Sequence, residues 1–188
     1  MDGVDYEKLP QLIEWARAPG HIDGALVVHG SLPLQIDCEA STNETLRAIE
    51  VNGTSAVAVL GVFANLLQAQ GSGVLAVIGS VAGDRGRASN YTYGAAKALV
   101  ATFAAGLRHR LAKDGVRVVT IKPGFVDTPM TAAIVKKGLL WATPAAVADC
   151  IVAAMDTKTG VVYAPWFWRY IMWVIRSIPE PLFIRTRL

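Results

Sequence analysis

Ser80, Tyr93 and Lys97 carry side chains suited to proton transfer and lie within 18 residues of one another. Tyr93 and Lys97 are four residues apart, so on a helix they share one face, one turn apart. An ammonium group beside a phenol favours the ionised phenol, which predicts a Tyr93 pKa below its usual value of about 10. A tyrosine in this state can donate or accept a proton at a carbonyl or alcohol oxygen. Tyr91, six residues before Lys97, lies off that face.

The predicted elements around these residues bring all three side chains together. An apolar run at 74–78 predicts a buried strand, and Ser80 follows its C-terminal end. Residues 91–113 predict the helix that carries Tyr93 and Lys97, and residues 116–121 predict the next strand. A Tyr-x-x-x-Lys pair alone occurs by chance in many amphipathic helices that carry a solvated lysine. The strand before it and the strand after it favour the catalytic interpretation.

Other segments predict further parts of an α/β domain. Strands are predicted at 25–28 and 161–163. A long helix is predicted from a capping box at Ser41 and Glu44 to about residue 70. Thr143 and Pro144 predict the start of another helix, which runs to residue 155. Asn52 and Gly53 fall in the middle of the long helix, where both are poor helix formers. Either a local kink or a functional role would explain the pair.

In this arrangement the chain resembles the short-chain dehydrogenase/reductase family from about residue 23 to residue 128. The resemblance implies an α/β, Rossmann-like, doubly wound parallel sheet with helices on both faces. It also implies that Ser80, Tyr93 and Lys97 form a catalytic triad. Tyr93 would give the proton, and Ser80 would hold the substrate oxygen. Asn52 would extend the triad to a tetrad by holding a water molecule that links Lys97 to solvent.

The same resemblance implies NADP or NAD as the cofactor of an oxidoreductase that reduces a carbonyl to an alcohol. In the family a Pro-Gly pair leads to a Thr that contacts the nicotinamide carboxamide, and a Lys binds the nicotinamide ribose. The residues implied in cofactor binding are Gly30, Tyr93, Lys97, Pro123, Gly124 and Thr128. Gly30 follows Val-Val-His where the family usually has Asn-Asn-Ala. His29 is therefore either a ribose ligand or a hydrogen-bonded core histidine.

The opening of the family fold is not recognisable in this sequence. Complete members begin with a strand and a Gly-rich turn that places the pyrophosphate on a helix N-terminus. No Gly-x-x-x-Gly-x-Gly precedes residue 30. We therefore expect the first strands to be missing, roughly 70 residues at 30 or more per βαβ unit. Asp2 is then either the acid that contacts adenine or a frayed terminal residue. The alternative function is a catalytically silent fragment that acts as a dimerisation or membrane-docking module.

Composition sets the broad class of the protein. Of 188 residues, 53% are apolar and 18% are charged, which fits a parallel sheet covered on both faces. One Rossmann-like domain is predicted at 1–164, followed by an apolar, basic helix and tail at 165–188. The tail accounts for the whole net charge of +3, a pattern that is not typical of a nucleic-acid binder. Cys38 and Cys150 predict neither a disulfide framework nor a metal site, which fits the cytoplasm.

The C-terminal segment is apolar nearly all round at 165–178 and is too short to span a bilayer, which needs roughly 20 apolar residues. Three Trp, one Tyr and the arginines Arg169 and Arg176 suit a membrane–water interface. This predicts peripheral contact with the inner face of the membrane. The alternative is a helix buried against the domain or against a second copy of the chain. A homo-oligomer is also expected.

Two sequence features resemble one branch of the family, the decaprenylphosphoryl-2-keto-erythro-pentose reductases. The first feature is Ser-Val-Ala-Gly-Asp-Arg at 80–85. The second is a set of three short C-terminal motifs: Ala-Pro at 164–165, Arg-Tyr at 169–170 and Arg-x-Ile-Pro at 176–179. The branch implies a keto sugar on a polyprenyl phosphate as the substrate, as opposed to a simple small molecule. Arg85 and Arg87 would then bind the phosphodiester, because guanidinium groups bind phosphate oxygens bidentately. The alternative is a solvated basic loop beside Asp84.

Overall fold

The computed structural model describes residues 4–132, 134 and 138–186. A parallel sheet of four strands forms its centre, in the order β1, β2, β3, β6. The strands are β1 (Gly24–Val27), β2 (Gly73–Ile78), β3 (Val116–Pro123) and β6 (Val161–Ala164), and a separate pair joins β4 (Phe125–Val126) to β5 (Trp141–Ala142). The main helices are α1 (Leu9–Arg17), α2 (Gln35–Ala40), α3 (Thr42–Ile49), α4 (Ser55–Gln70), α5 (Tyr91–Leu111), α6 (Pro144–Asp156), α7 (Trp168–Ser177) and α8 (Glu180–Phe183).

Helices cover both faces of the sheet, as predicted. On one face, Leu60 and Leu67 of α4 and Val100 of α5 are fully buried with Leu75 of β2. On the other face, α6 packs on β3 through a cluster that includes Val119. Strand β2 lies between β1 and β3, with Leu75 opposite Ala25 on one side and Val118 on the other. This central position explains why residues 74–78 form an unbroken apolar run.

The predicted strands and long helices are formed to within two residues of their predicted ends. Ser41 caps α3, since its Oγ accepts a hydrogen bond from the Glu44 N–H at 3.3 Å. Thr143 caps α6 by accepting from the Ala146 N–H at 3.2 Å. Helices α3 and α4 join through a π-helical turn at Glu50–Thr54, which contains Asn52. The span Thr42–Gln70 is long and apolar enough to cross a membrane by composition, but its buried face makes it a core helix of the domain.

Three short elements escaped the sequence analysis: α2, the β4–β5 pair and α8. Each β4 and β5 strand has only two residues, too few to show a period of two. Residues 130–141, which the family resemblance implies as a substrate lid, lie partly outside the described residues, and Asp2 lies wholly outside them. Among the described residues, no strand pairs with the outer edge of β1. The side chains of Trp15, Leu26 and Val28 are exposed near this edge.

The C-terminal helix α7 packs one face on the domain. Trp168, Met172 and Ile175 are buried there with Val81, and Phe183 of α8 completes the cluster. The opposite face carries exposed aromatic side chains, with Trp166, Tyr170 and Trp173 each more than 60% exposed. Helix α7 therefore agrees with the interpretation of a helix buried against the domain, while its opposite face exposes aromatic side chains.

Candidate active site

The predicted residues Ser80, Tyr93 and Lys97 meet at the C-terminal end of β2. Ser80 directly follows the strand, and its Oγ accepts a hydrogen bond from the Ala82 N–H at 3.1 Å. The Ser80 side chain also lies close enough to the Tyr93 hydroxyl to lower the pKa of this phenol. All three side chains line one cavity of about 680 Å³, which lies between the ends of the strands and α7. Ligands of open parallel sheets bind in this position, outside the carboxyl ends of the strands.

Lys97 is buried next to the tyrosine. The residue is only 3% exposed, and its Nζ donates a hydrogen bond to the Ile78 carbonyl at 3.1 Å. The same Nζ lies 5.8 Å from the centroid of the Tyr93 ring. Burial lowers the pKa of Lys97 to about 8, because the charged form loses its hydration. An ammonium group with this pKa can release and regain a proton close to neutral pH.

The predicted lowering of the Tyr93 pKa is wrong. Burial raises the pKa of Tyr93, and the hydrogen bond from Ser80 opposes this only in part. The reason is that the phenolate loses more hydration in the cavity than its neighbours return. Tyr93 is therefore a protonated phenol at neutral pH. This state suits a proton donor.

Asn52 and Gly30 fit against each other. Asn52 is fully buried in the π-helical turn, where its Oδ1 accepts from the Ser31 N–H at 2.8 Å and its Nδ2 donates to the Ala48 carbonyl at 3.0 Å. A Cβ atom on Gly30 would lie 2.9 Å from this Oδ1 and 3.5 Å from Lys97 Nζ. Only glycine lets the chain after β1 pass so close to both side chains. A π-helical turn is frequently found at functional sites.

His29 has a hydrogen-bond partner that the sequence did not reveal. Its Nε2 lies 2.8 Å from Ser55 Oγ, and Ser55 in turn donates to the Val51 carbonyl at 2.8 Å. Burial, with a smaller contribution from the Lys97 charge, lowers the pKa of His29. A neutral imidazole is therefore present at neutral pH. His29 also lines the cavity, so the structure shows a satisfied histidine at a position where a ligand could reach it.

Pro123 ends β3, Gly124 and Thr128 follow it, and all three residues line the same cavity. The Gly124 N–H donates to the Ala164 carbonyl at 3.0 Å, which fixes the chain beside β6. A Cβ atom on Gly124 would overlap the indole ring of Trp168. Glycine is therefore required here because the C-terminal helix inserts a tryptophan at this point. The sequence marked Gly124 only as part of a Pro-Gly pair.

The structure separates the two arginines that were predicted to act together. The Arg85 guanidinium donates to the carbonyl oxygens of Ile175 and Ile178, each at 2.6 Å, and pairs with Glu180 at 2.8 Å. It also lies 3.6 Å above the ring centre of Phe183. Arg85 thus fastens the end of α7 to α8 and does not line the cavity. Arg87 does line the cavity.

The position of Arg85 leads to a stability prediction. Replacing Arg85 by Met leaves the carbonyls of Ile175 and Ile178 without their charged donor. Since a hydrogen bond to a charged group contributes roughly 1.5–3 kcal/mol, we expect Arg85→Met to lower the free energy of unfolding by about 2–4 kcal/mol. Urea denaturation monitored by tryptophan fluorescence measures this change. Arg87→Met is the matched control and should cause no comparable loss. Equal losses in the two variants would contradict the structural role of Arg85.

Three further residues of this region were missed by the sequence analysis: Gln35, Asn90 and Trp168. Gln35 of α2 caps the catalytic helix α5, because its Oε1 accepts from the Thr92 N–H at 3.0 Å. Asn90 and Trp168 line the cavity. No local pattern could have identified Gln35 or Trp168, since Gln35 lies 57 residues from Thr92 and Trp168 lies 44 residues from Gly124. Asn90 could have been noticed, because Asn just before a helix is a typical cap.

The fold and these residues together define a Rossmann-type domain with a Ser-Tyr-Lys cluster at the C-terminal end of β2. A family model described as short chain dehydrogenase matches residues 1–138. The chain belongs to the short-chain dehydrogenase family. It is 33% identical to an uncharacterized oxidoreductase of Streptomyces coelicolor over 98% of this chain and 72% of that protein. It is 34% identical to an uncharacterized oxidoreductase of Mycobacterium tuberculosis over 86% of this chain and 64% of that protein.

Solved structures of the same fold agree with the architecture described above. A short chain dehydrogenase from Burkholderia cenocepacia, in complex with NADP, superposes with a TM-score of 0.83. The match covers 98% of this chain and 78% of that chain, at 21% sequence identity. A 3-oxoacyl-[acyl-carrier protein] reductase from Brucella melitensis, with bound NAD, superposes with a TM-score of 0.72 at 24% identity. These likenesses show that the α/β, Rossmann-like fold was predicted correctly.

Proposed function

We propose that this protein is an NADP- or NAD-dependent oxidoreductase that reduces a carbonyl group to an alcohol. One observation carries the proposal: Ser80, Tyr93 and the buried Lys97 line one cavity, which is large enough for a small substrate. The relatives are oxidoreductases, and two of the structural neighbours hold NADP or NAD. A silent docking module is not favoured, because such a module has no use for a buried lysine.

The cavity residues fit the nicotinamide end of the cofactor. Gly30 and Gly124 line the cavity through their backbone, and Pro123 and Thr128 form the wall at and beyond the end of β3. Lys97 Nζ has one protein acceptor, the Ile78 carbonyl, and an ammonium group can donate two further hydrogen bonds. Ribose hydroxyl groups suit these donors. The proposed cofactor contacts are therefore those of Gly30, Tyr93, Lys97, Pro123, Gly124 and Thr128.

Each of the site side chains has a separate role in the reduction. A reduced nicotinamide held by these residues would supply the hydride for the carbonyl carbon. Ser80 donates a hydrogen bond to the carbonyl oxygen and orients it, while Tyr93 transfers its phenolic proton to that oxygen as the alcohol forms. Lys97, with a pKa of about 8, can then return a proton to Tyr93. Asn52 acts as a positioning residue, because it holds the Gly30–Ser31 segment next to Lys97.

An assay of the full chain tests this proposal. Reduced NADP or NAD is incubated with a panel of ketones and aldehydes, and the loss of reduced nicotinamide absorbance is followed together with alcohol formation. We expect one alcohol formed for each cofactor oxidised. Cofactor binding measured by calorimetry without reduction of any carbonyl in the panel would favour the silent module instead.

The finer substrate assignment is a keto sugar carried on a polyprenyl phosphate. It is supported by the resemblance of residues 80–85 and of the C-terminal segment, and by the composition of the cavity wall. Apart from the catalytic groups this wall is mainly apolar, with Leu32, Met130, Val147 and Ile151 among its members. Such a wall suits a prenyl chain. Faster turnover of a prenylphosphoryl keto sugar than of the free keto sugar would support the assignment.

Peripheral membrane contact through α7 is a second part of the proposal. Trp166, Tyr170 and Trp173 are exposed on its outer face, and Arg169 and Arg176 lie beside them around a shallow pocket. Trp166→Ser with Trp173→Ser should reduce co-sedimentation with anionic vesicles at low salt. Deletion of the segment is a poor test, because Trp168 and Met172 belong to the core.

Trp15→Ser is the matched control for this experiment, since Trp15 is 75% exposed near β1, outside the C-terminal segment. Equal co-sedimentation of the double variant and the control would contradict membrane contact. That result would favour contact between copies of this chain through the exposed face of α7. A homo-oligomer is also supported by the exposed Leu46 of α3 and Leu99 of α5, whose helices lie side by side. Light scattering of the purified protein measures its mass.

A further inference from the structure

Three buried polar atoms have no hydrogen-bond partner within the described part of the chain. They are Arg87 Nε, Asn90 Oδ1 and Trp168 Nε1. All three residues line the cavity that holds Ser80 and Tyr93. Buried polar groups in folded proteins are nearly always hydrogen-bonded, so each exception needs an explanation. Three exceptions that share one cavity call for a single explanation.

Arg87 brings a positive charge that the protein does not neutralise directly. The nearest acid is Asp84, but one of its carboxylate oxygens pairs with Lys122 and the other accepts the Tyr163 hydroxyl at 2.7 Å. No ion pair joins Arg87 to an acid within the ranges that the structure describes. Burial lowers the pKa of Arg87, and the charge of Asp84 opposes this only in part. A guanidinium in this position favours an anionic partner.

Asn90 is placed as a helix cap but does not act as one. It is the N-cap residue of α5, yet its side chain makes no capping hydrogen bond. The first turn of α5 is satisfied instead by Gln35, which accepts from the Thr92 N–H. The usual task of an N-cap asparagine is thus taken over by another helix. The Asn90 side chain is left at the cavity.

Trp168 is the third residue, and it lines the cavity from α7. It is 2% exposed, and its indole nitrogen faces the Cα of Gly124, where no side chain could be accommodated. An indole N–H is a donor only, and a buried one usually finds an acceptor. Arg87 and Trp168, each with an unpartnered donor, therefore line one cavity, and the Asn90 amide can accept from a hydroxyl group.

We propose that Arg87, Asn90 and Trp168 form a subsite for an oxyanion, a carboxylate or a phosphate ester, on the ketone that this enzyme reduces. The inference rests on the proposed carbonyl reduction and adds the chemical class of the substrate: a hydroxylated ketone that bears an anionic group. Arg87 and Trp168 donate to the anion, and Asn90 Oδ1 accepts from a neighbouring hydroxyl group. The apolar wall of the cavity covers the remaining carbon atoms.

The subsite can be tested by binding, without any turnover. The indole N–H resonance of Trp168 is assigned in a ¹H–¹⁵N spectrum by its loss in Trp168→Phe. The full chain is then titrated with hexyl phosphate, hexanoate and hexanol. We expect a saturable shift of this resonance with at least one of the anions. Hexanol should bind at least about tenfold more weakly than the preferred anion. Tighter binding of hexyl phosphate identifies a phosphate ester, and tighter binding of hexanoate identifies a carboxylate.

Arg87→Met removes the charge while keeping an unbranched side chain, and it should weaken the binding of the preferred anion by about tenfold or more. Arg47→Met, which removes an exposed arginine of α3, is the matched control and should bind like the unchanged protein. Equal binding of hexanol and the anions, or no shift with any probe, would overturn the subsite. Water would then be the partner of the three atoms.

These outcomes separate the subsite from the catalytic proposal. Anion binding at Trp168 in a protein that reduces no ketone would contradict the catalytic proposal alone. Reduction of ketones with no preference between an anionic substrate and its neutral methyl ester would contradict the subsite alone. An Arg87→Met variant that keeps a preference for the anionic substrate would also overturn it.

Discussion

Tyr93→Phe is expected to reduce the rate of carbonyl reduction by at least about 100-fold. The substitution removes one hydroxyl group and leaves the ring in place, so packing in the cavity should be unchanged. General acid–base catalysis typically contributes about 10²–10⁴-fold, and Tyr93 is the only phenol that lines the cavity in the part of the chain that the structure describes. The measurement is kcat/KM for a ketone substrate, with cofactor binding checked by calorimetry.

Tyr91→Phe is the matched control for this experiment. Tyr91 lies two residues earlier in the same helix and is 46% exposed, outside the cavity. Both variants lose the same phenolic hydroxyl group. A difference in activity between them is therefore due to the position of Tyr93 in the cavity, and not to the loss of a hydroxyl group in general. A Tyr93→Phe variant that retains more than about a tenth of the activity would refute the role of Tyr93 as proton donor.

Lys97→Met is expected to change activity and stability in opposite directions. Activity should fall sharply, because the ammonium group that returns a proton to Tyr93 is lost. Stability at about pH 7 should rise, because the folded chain no longer holds a buried charge that prefers water. A pKa lowered from 10.5 to about 8 corresponds to roughly 3 kcal/mol. Losing the hydrogen bond to Ile78 offsets about 1 kcal/mol of this gain.

The pH dependence of the difference follows from the direction of the Lys97 shift. Below about pH 8 the lysine is protonated in both states, so the folded protein carries the full cost of the buried charge. Between about pH 8 and 10.5 only the unfolded chain keeps the proton, so the stability of the unchanged protein rises with pH. The advantage of Lys97→Met should therefore shrink as the pH rises through this window.

Urea denaturation at about pH 7 and about pH 9.5 measures this effect. We expect the advantage of Lys97→Met to fall by about 2 kcal/mol between the two conditions, which removes most of it. Lys113→Met is the matched control, because Lys113 lies just after the same helix and is exposed; its stability difference should stay within about 0.5 kcal/mol. A Lys97→Met variant that is less stable than the unchanged protein at neutral pH would show that Lys97 supports the fold. The gain in stability at the expense of activity is the pattern expected of a functional site.

The parts of the fold that were predictable are those whose signal is local. The apolar run of β2 revealed a strand buried on both faces, and the caps Ser41 and Thr143 revealed where helices begin. The spacing of Tyr93 and Lys97 fixed their common helix face. Ser80 could be joined to them because the order of strand and helix in a parallel α/β unit determines which ends meet. Each of these inferences needed only a few consecutive residues and a known period.

The electrostatics of the site could not be predicted in the same way. The sequence showed that Lys97 and Tyr93 are neighbours, and a neighbouring charge lowers the pKa of a phenol. It did not show how deeply both groups are buried. Burial outweighs the attraction and raises the pKa of Tyr93 while it lowers that of Lys97. Loss of hydration depends on everything packed around a group, so it is a property of the tertiary structure.

The different contacts of Arg85 and Arg87 could not be predicted from the sequence and depend on the tertiary structure. The two arginines are the same residue type, two positions apart, and the sequence assigned both to one phosphate. In the folded protein Arg85 is held by carbonyl oxygens of α7, about ninety positions later in the chain, while Arg87 turns to the cavity. The sequence by itself predicted the family, the parallel α/β fold and the candidate proton-transfer residues, because these depend on local patterns and short spacings. Only the packing of α7 against the loop after Ser80 decided which arginine fastens the fold and which can meet a substrate, because contacts between distant segments leave no local pattern in the sequence.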